Sequence, residues 1–402
     1  MIRLSRRSVA VKPSATLATA AKARQLKAQG VDVVTFGTGE PDFDTPQALK
    51  DAASAALEAG ETHYGPVPGI LPLREAICEK LERDHGLSYA PDEVIVTVGA
   101  KQALYNLCQV ALDEGDEAVL VAPCWVSYPD MVTLAGAESV WVRARPEDGF
   151  QPRPEEIEAA ITERTRLIFL NSPSNPTGVV YDRATLEGIA AVLRRHPQVV
   201  IISDDIYEKI LYDGREFLNI LQVAPDLGER TVIINGFYKA YCMTGWRLGW
   251  AAGPKLLISA MQKIQGQSTS GATTYAQAGA LEALRGSADE ALASNLAAFD
   301  GRRRHIVARL DAIDGVSCAM PGGAFYAFPD IRALLGRRYK GRPLADSVAF
   351  ADALIEDQAV AVVPGGPFGA EGFLRMSYAT SMEEIDRGID RLEAFVSGLE
   401  EA

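Results

Sequence analysis

Leu167-Ile-Phe-Leu-Asn171, Val199-Val-Ile-Ile-Ser203 and Thr231-Val-Ile-Ile-Asn235 decide the architecture. Each is a short run of mostly β-branched or large apolar residues with almost no polar alternation, the pattern of a strand buried on both faces. Outward from these, Val94–Val98, Ala118–Ala122, Ser139–Val142 and Leu248–Ala252 are runs of similar length, which makes seven between Glu93 and Pro254. Amphipathic helical stretches such as Lys101–Ala111 and Arg183–Arg195 separate several of them. The alternation predicts an α/β fold whose large domain holds a mainly parallel seven-stranded sheet between helices. Thr231–Asn235 and Leu248–Ala252 lie too close together for a helical crossover, so antiparallel pairing is open to them.

The pattern changes further on. A long helix over Ser287–Ala312 leads into shorter elements at Phe325–Phe328, Ala349–Gln358, Ala359–Val363 and Phe373–Ser377, then a last helix from Met382. A chain of 402 residues exceeds what one core usually supports. The expected division is an N-terminal segment over 1–45, a large domain over 46–286 and a smaller α+β domain over 287–402. The N-terminal segment is assigned to the smaller domain, although its Ala-rich sequence suits either body.

Composition narrows the function. A net charge of −13 argues against nucleic acid. No stretch approaches the roughly 20 apolar residues of a membrane span, and Met1–Val11 has arginines without the apolar core of a signal peptide. The five cysteines are scattered, and the four histidines show no HExxH spacing, so no metal is expected. These features suit a cytoplasmic enzyme acting on small molecules.

Polar clusters stand at the carboxyl ends of the runs, where open α/β sheets bind ligands. They are Gly99-Ala100-Lys101, Pro123-Cys124-Trp125, Asn171-Ser-Pro-Ser-Asn175-Pro-Thr-Gly178, Asp204-Asp205-Ile206-Tyr207 and Lys239. Alone, Asn175-Pro-Thr-Gly178 is a turn, Asp204 suits a helix cap and Trp125 is a core aromatic. It is the five together, on one sheet and in this order, that carry the argument.

That order resembles the class I aminotransferases of fold type I, which use pyridoxal 5′-phosphate. The most specific stretch is Asn235-Gly-Phe-Tyr-Lys239-Ala-Tyr-Cys-Met-Thr-Gly-Trp-Arg247-Leu-Gly249, supported by Gly39-Glu-Pro-Asp-Phe-Asp-Thr-Pro46 and Arg375-Met-Ser-Tyr-Ala-Thr-Ser381. The chain looks most like the second-subgroup bacterial aspartate aminotransferases.

The resemblance implies Lys239 as the Schiff-base lysine, which also moves the substrate Cα proton. It implies Asp204 beside the pyridine nitrogen, where a carboxylate keeps that nitrogen protonated, with Asp205 projecting elsewhere. Tyr207 and Asn175 would hydrogen-bond the ring's phenolic oxygen, and Trp125 would stack on the ring. The phosphate would lie on the amides of Ala100 and Lys101 at a helix N-terminus, with Arg247 as charge partner and Tyr64 reaching it from a second subunit of a homodimer. Arg375 would take the substrate α-carboxylate bidentately, with the Gly39 backbone closing over it and Asn175 and Trp125 nearby. Lys101 and Lys12 suit a distal carboxylate, which favours aspartate or glutamate and their 2-oxo acids. Without the resemblance, Tyr64 reads as a loop aromatic and Lys12 as a solvated tail lysine.

Three positions depart from the wider class. Gly236 and Tyr238 stand where many relatives carry serines, one of which touches the phosphate, and Cys124 replaces a more usual tyrosine. Two alternatives stay open: a prephenate or aromatic aminotransferase, and a lyase or decarboxylase that keeps the same cofactor residues.

Overall fold

The computed structural model describes residues 2–401. Seven strands form the main sheet: β1 (Val94–Thr97), β2 (Glu117–Ala122), β3 (Glu138–Arg143), β4 (Thr165–Asn171), β5 (Val200–Asp204), β6 (Thr231–Gly236) and β7 (Gly249–Ala252). Their spatial order is β1-β7-β6-β5-β4-β2-β3. Strands β6, β5, β4, β2 and β3 run parallel, whereas β7 is antiparallel to both β6 and β1. The short connection from Thr231–Gly236 to Gly249–Ala252 is therefore the one that turns the chain back on itself.

The unbroken apolar runs follow from burial on both sides of the pleat. Leu167 and Phe169, Ile202, and Val232 and Ile234 enter one core cluster, which includes Ala103, Leu104, Leu107 and Ile258 from the helices Ala100–Ala111 and Lys255–Ser268. Their sequence neighbours Ile168 and Leu170, Ile201 and Ile233 enter the opposite cluster with Leu73, Ile77, Leu186 and Ile189. Successive side chains point to opposite faces, so each face claims every second residue and no polar position is left. Strand β3 differs from the sequence expectation: it is an edge strand with a mostly exposed or half-buried pattern, and its Trp141 is 39% exposed. Edge position alone does not expose it: the opposite edge strand, β1, is buried at all four positions against the helices Leu71–His85 and Lys255–Ser268.

Beyond the sheet, Val363–Pro364, Leu374–Ser377 and Tyr326–Ala327 form a small antiparallel sheet in that order. The N-terminal segment is tied to this region. Val34–Thr35 pairs in parallel with Val360–Ala361, Phe36 O accepts from Ser377 N at 2.8 Å, and Lys22 on the helix Ala15–Ala28 bridges to Asp352 and Glu356 at 3.0 and 2.8 Å. Helix ends carry the expected caps: the Asp182 carboxylate accepts from Thr185 N at 2.7 Å, and the Ser381 hydroxyl from Glu384 N at 3.1 Å.

Close packing at one glycine sets the frame of the site. A Cβ on Gly249 would lie 2.2 Å from Ala100 N and 2.4 Å from Gly99 C, so only glycine lets the helix Ala100–Ala111 start directly on β7. Replacing Gly249 with Ala must push backbone away from backbone, an overpacking cost of about 1–3 kcal/mol. The expected outcome is a lower urea midpoint for Gly249→Ala with an unchanged slope; an unchanged midpoint would mean that the helix start can shift freely.

Candidate active site

The carboxyl ends of the parallel strands open into a cleft lined by Lys239, Asp204, Tyr207, Asn175, Arg247 and Arg375, together with Trp125, Lys101 and Gly39. Lys239 follows β6 in a tight turn in which Tyr241 N donates to Phe237 O and Met243 N to Tyr238 O. The turn aims its amine into the cleft, where Nζ donates to Gly39 O and stands 5.2, 5.6 and 5.8 Å from the ring centres of Tyr238, Phe325 and Tyr207. Desolvation, and after it the Arg375 guanidinium, push the Lys239 ammonium down to about 7, with Glu40 opposing and Arg247 reinforcing the shift.

Asp204 ends β5 and is 4% exposed. Its Oδ2 accepts from the Tyr128 hydroxyl at 2.6 Å, while Oδ1 has no partner among the described residues. Burial pushes its carboxyl up to about 6, and the Tyr128 hydrogen bond opposes this. A buried carboxylate oxygen left open is costly unless a donor reaches it, and the protonated nitrogen of a pyridine ring is such a donor. Asp205 turns the other way. Its Oδ1 accepts from the Ser203 hydroxyl at 2.6 Å and its Oδ2 from Asn219 Nδ2 at 3.0 Å, outside the cleft lining.

An anion cradle lies beside these groups. Gly99 precedes the helix Ala100–Ala111 with φ 79°, and no side chain caps that helix start. Its first amides therefore remain free for an anion. A Cβ on Gly99 would meet Arg247 Nη2 at 2.8 Å, so the guanidinium lies directly against the Gly99 backbone. Helix N-terminus and arginine converge as a phosphate requires.

Arg375 sits on Leu374–Ser377. Leu374 and Met376 join the core, and the pleat turns Arg375 between them toward the cleft. It is 1% exposed, donates from Nη2 to Gly37 O at 2.9 Å and from Nη1 to Asn175 Oδ1 at 3.1 Å, and its Nε has no partner among the described residues. Gly39 lies alongside: its Cβ position is 4.0 Å from both Arg375 terminal nitrogens. A buried guanidinium facing carbonyl oxygens and no carboxylate among the described residues is set to bind an external one.

Lys101 Nζ lies 4.7 Å over the Trp125 ring and donates to Ser127 Oγ at 3.3 Å. Desolvation, then the Arg247 charge, lower its basicity. Three candidate site residues from the sequence, Ala100, Tyr64 and Lys12, are not in the cleft lining, Ala100 being buried at the start of its helix. Tyr64 is 100% exposed, and the Lys12 backbone amide reaches Asp130 Oδ1 at 3.4 Å. The structure also adds residues that the sequence did not reveal. Tyr128 holds Asp204, and Tyr326 hydrogen-bonds the Tyr207 hydroxyl at 2.7 Å and lies under Arg375. Arg24 and Glu40 line the cleft, and Asn171 fixes both the Asp204 carbonyl and the Asn175 amide.

Residues 31–392 match the family model for aminotransferase class I and II. The chain belongs to that family. The aminotransferase is 51% identical over 390 residues to an aspartate/prephenate aminotransferase of Cereibacter sphaeroides, covering 97% of each chain. It is 45% identical to an aspartate aminotransferase of Bacillus subtilis, covering 98% of this chain and 99% of that one. Among solved structures, an aspartate aminotransferase from Rhizobium meliloti superposes with a TM-score of 0.96 at 42% identity over the full length of both chains. One from Thermus thermophilus with maleate gives 0.92 at 45% identity over 98% of this chain and all of that one.

Tyr128→Phe leaves Asp204 with neither oxygen partnered by a side chain. In the aminotransferase this should cost about 1–3 kcal/mol of stability and reduce kcat roughly 10-fold, read from a thermal melt and steady-state rates. An unchanged kcat would show that Asp204 is held by other contacts.

Proposed function

We propose that this aminotransferase transfers the amino group of aspartate or glutamate to a 2-oxo acid, using pyridoxal 5′-phosphate held in the cleft described above. One observation carries the reading. A lysine of lowered basicity stands between a buried carboxylate with an open oxygen and a buried arginine with no carboxylate partner among the described residues. When bound, pyridoxal phosphate supplies an aldehyde carbon that takes the amino group and a pyridinium ring that weakens the bonds at the substrate Cα. The chain's residues then divide the work. With the cofactor in place, Asp204 would accept a hydrogen bond from the protonated ring nitrogen and so keep it protonated, Tyr207 and Asn175 would donate to the phenolic oxygen, and Trp125 would cover the ring. The Ala100 and Lys101 amides and Arg247 would hold the phosphate. Arg375 orients the substrate α-carboxylate under Gly39, and Lys239 Nζ moves the proton at Cα.

Lys101, beside Trp125 at the cleft wall, is our candidate for the distal carboxylate. The Thermus relative is recorded with maleate, a dicarboxylate, which supports a pocket for acidic substrates. The name of the Cereibacter relative favours prephenate as a second amino acceptor; nothing comparable favours a lyase or decarboxylase. We further infer a cytoplasmic homodimer in which exposed Tyr64 reaches the partner's phosphate and Lys12 assists substrate binding. In this reading 46–286 form the cofactor-binding domain, while 1–45 pack with the smaller domain of 287–402.

Lys239→Ala should lower turnover by at least about 10²–10⁴-fold, and borohydride should fix the cofactor to Lys239 of the parent protein, as mapped by mass spectrometry. The ordinary lysine pKa is 10.5, and Lys239 is lowered to about 7. The neutral amine therefore accumulates as pH rises through about 7. Cofactor uptake by the stripped protein should accelerate over that interval and level off above it; a rate still climbing beyond about pH 9 would return the amine to its solution value. Lys101→Ala should raise KM for aspartate about 10- to 100-fold, the loss of one charged hydrogen bond, with little change for alanine. An equal loss for both would move Lys101 out of the side-chain pocket.

A further inference from the structure

Gly236 and Tyr238, the two positions near Lys239 that depart from the wider class, are linked in space. A Cβ on Gly236 would lie 2.9 Å from Tyr238 Cε1, 3.1 Å from its Cδ1 and 3.1 Å from Leu248 O. The tyrosine ring therefore fills the space into which a side chain at 236 would grow, and serine at 236 is incompatible with this ring placement. That space adjoins the anion cradle. Gly236 pairs with Gly249 across β6 and β7, Gly249 lies against the amide of Ala100, and the Arg247 guanidinium lies against Gly99. Tyr238 itself lines the cleft with Arg247 and Asp204, and the charges of both act on its phenol. Its ring packs against both core clusters, while its hydroxyl hydrogen-bonds to no described residue. A phenol with an anchored ring and an unpaired hydroxyl calls for a polar partner at its tip.

We propose that the Tyr238 hydroxyl donates a hydrogen bond to the cofactor phosphate, replacing a serine donor, and that Gly236 is glycine to make room for the ring. This rests on the reading that pyridoxal phosphate occupies the cleft. It makes the pair a single exchangeable unit: a small residue at 236 with a long donor at 238, or a short donor at 236 with a small residue at 238.

The test titrates stripped protein with pyridoxal phosphate and, separately, with pyridoxal, which lacks the phosphate, following absorbance and protein fluorescence. Tyr238→Phe should raise the Kd for pyridoxal phosphate about 10-fold, as expected for one hydrogen bond to a charged acceptor, and leave that for pyridoxal unchanged. Gly236→Ser should weaken pyridoxal phosphate binding in the parent but strengthen it in a Tyr238→Ala background, a sign reversal that independent sites cannot give. Equal Kd values for parent and Tyr238→Phe overturn the proposal. So does an equal loss for both ligands, which would mark the ring as packing only, or tighter binding by Tyr238→Ala, which would mark it as an obstruction. If Tyr238→Phe fails to fold, the two Gly236→Ser arms decide alone. Failure of the parent itself to take up pyridoxal phosphate would instead sink the functional reading.

Discussion

A primary amine that is unprotonated near neutral pH is what this cleft must supply, and a lysine does so only where its surroundings oppose the charge. Desolvation at the cleft floor is the largest influence on Lys239; Arg375 and Arg247 act in the same sense, and Glu40 and Asp204 act against it. In the proposed reading, three of those four charged groups would each hold a ligand: Arg375 the α-carboxylate, Arg247 the phosphate and Asp204 the ring nitrogen. The amine's basicity and the binding of both anions are therefore coupled. In that reading, carboxylate and phosphate bound at the two arginines would weaken their repulsion of Lys239 and make its amine a better proton acceptor.

Adjacent Asp204 and Asp205 show how finely the backbone separates roles. Both are buried, and desolvation raises both, to about 6 and about 8. Asp205 has a hydroxyl and an amide on its two oxygens and is closed to ligands. Asp204 has one oxygen on Tyr128 and the other without a partner among the described residues. Alternation at a strand end sends consecutive side chains to opposite faces, so of two chemically identical neighbours Asp204 lines the cleft and Asp205 does not.

How much of this was legible beforehand depended on distance along the chain. The seven strands and their mainly parallel order could be read because burial on both faces removes every polar position from short runs such as Ile201–Ile202 and Val232–Ile234. The antiparallel turn at β7 followed from connection length alone. Strand β3 misled, since an edge strand can carry Val140 and Val142 and still present Trp141 to solvent. In the site, polar clusters at the strand ends marked Lys239, Asp204, Tyr207 and Asn175. Their roles and those of Arg247 and Arg375 came from the resemblance, with the alternation of Leu374, Arg375 and Met376 consistent with an inward arginine. Tyr128 and Tyr326 had no such signal. One lies at the start of a short helix and the other on a two-residue strand far along the chain, and they meet Asp204 and Tyr207 only in three dimensions. For Tyr64 and Lys12, which stand outside the cleft of their own chain, a single sequence has no marker that separates them from ordinary surface residues.

The contacts that Gly37 and Gly39 make with the cleft have a consequence for how the molecule is assembled. The Gly37 carbonyl receives Arg375 across 338 residues of sequence, and the Gly39 carbonyl receives Lys239 across 200. Joining points so far apart carries a closure entropy that is repaid only once the intervening sheet is in place. Parallel strands and helices can organise in the middle of the sequence while the first forty residues are still unattached, so regular structure should be gained before competence. A carboxylate site built on Gly37 and Arg375 would thus be a stricter report of the finished fold than helix or strand content, because it needs contacts between two distant parts of the chain.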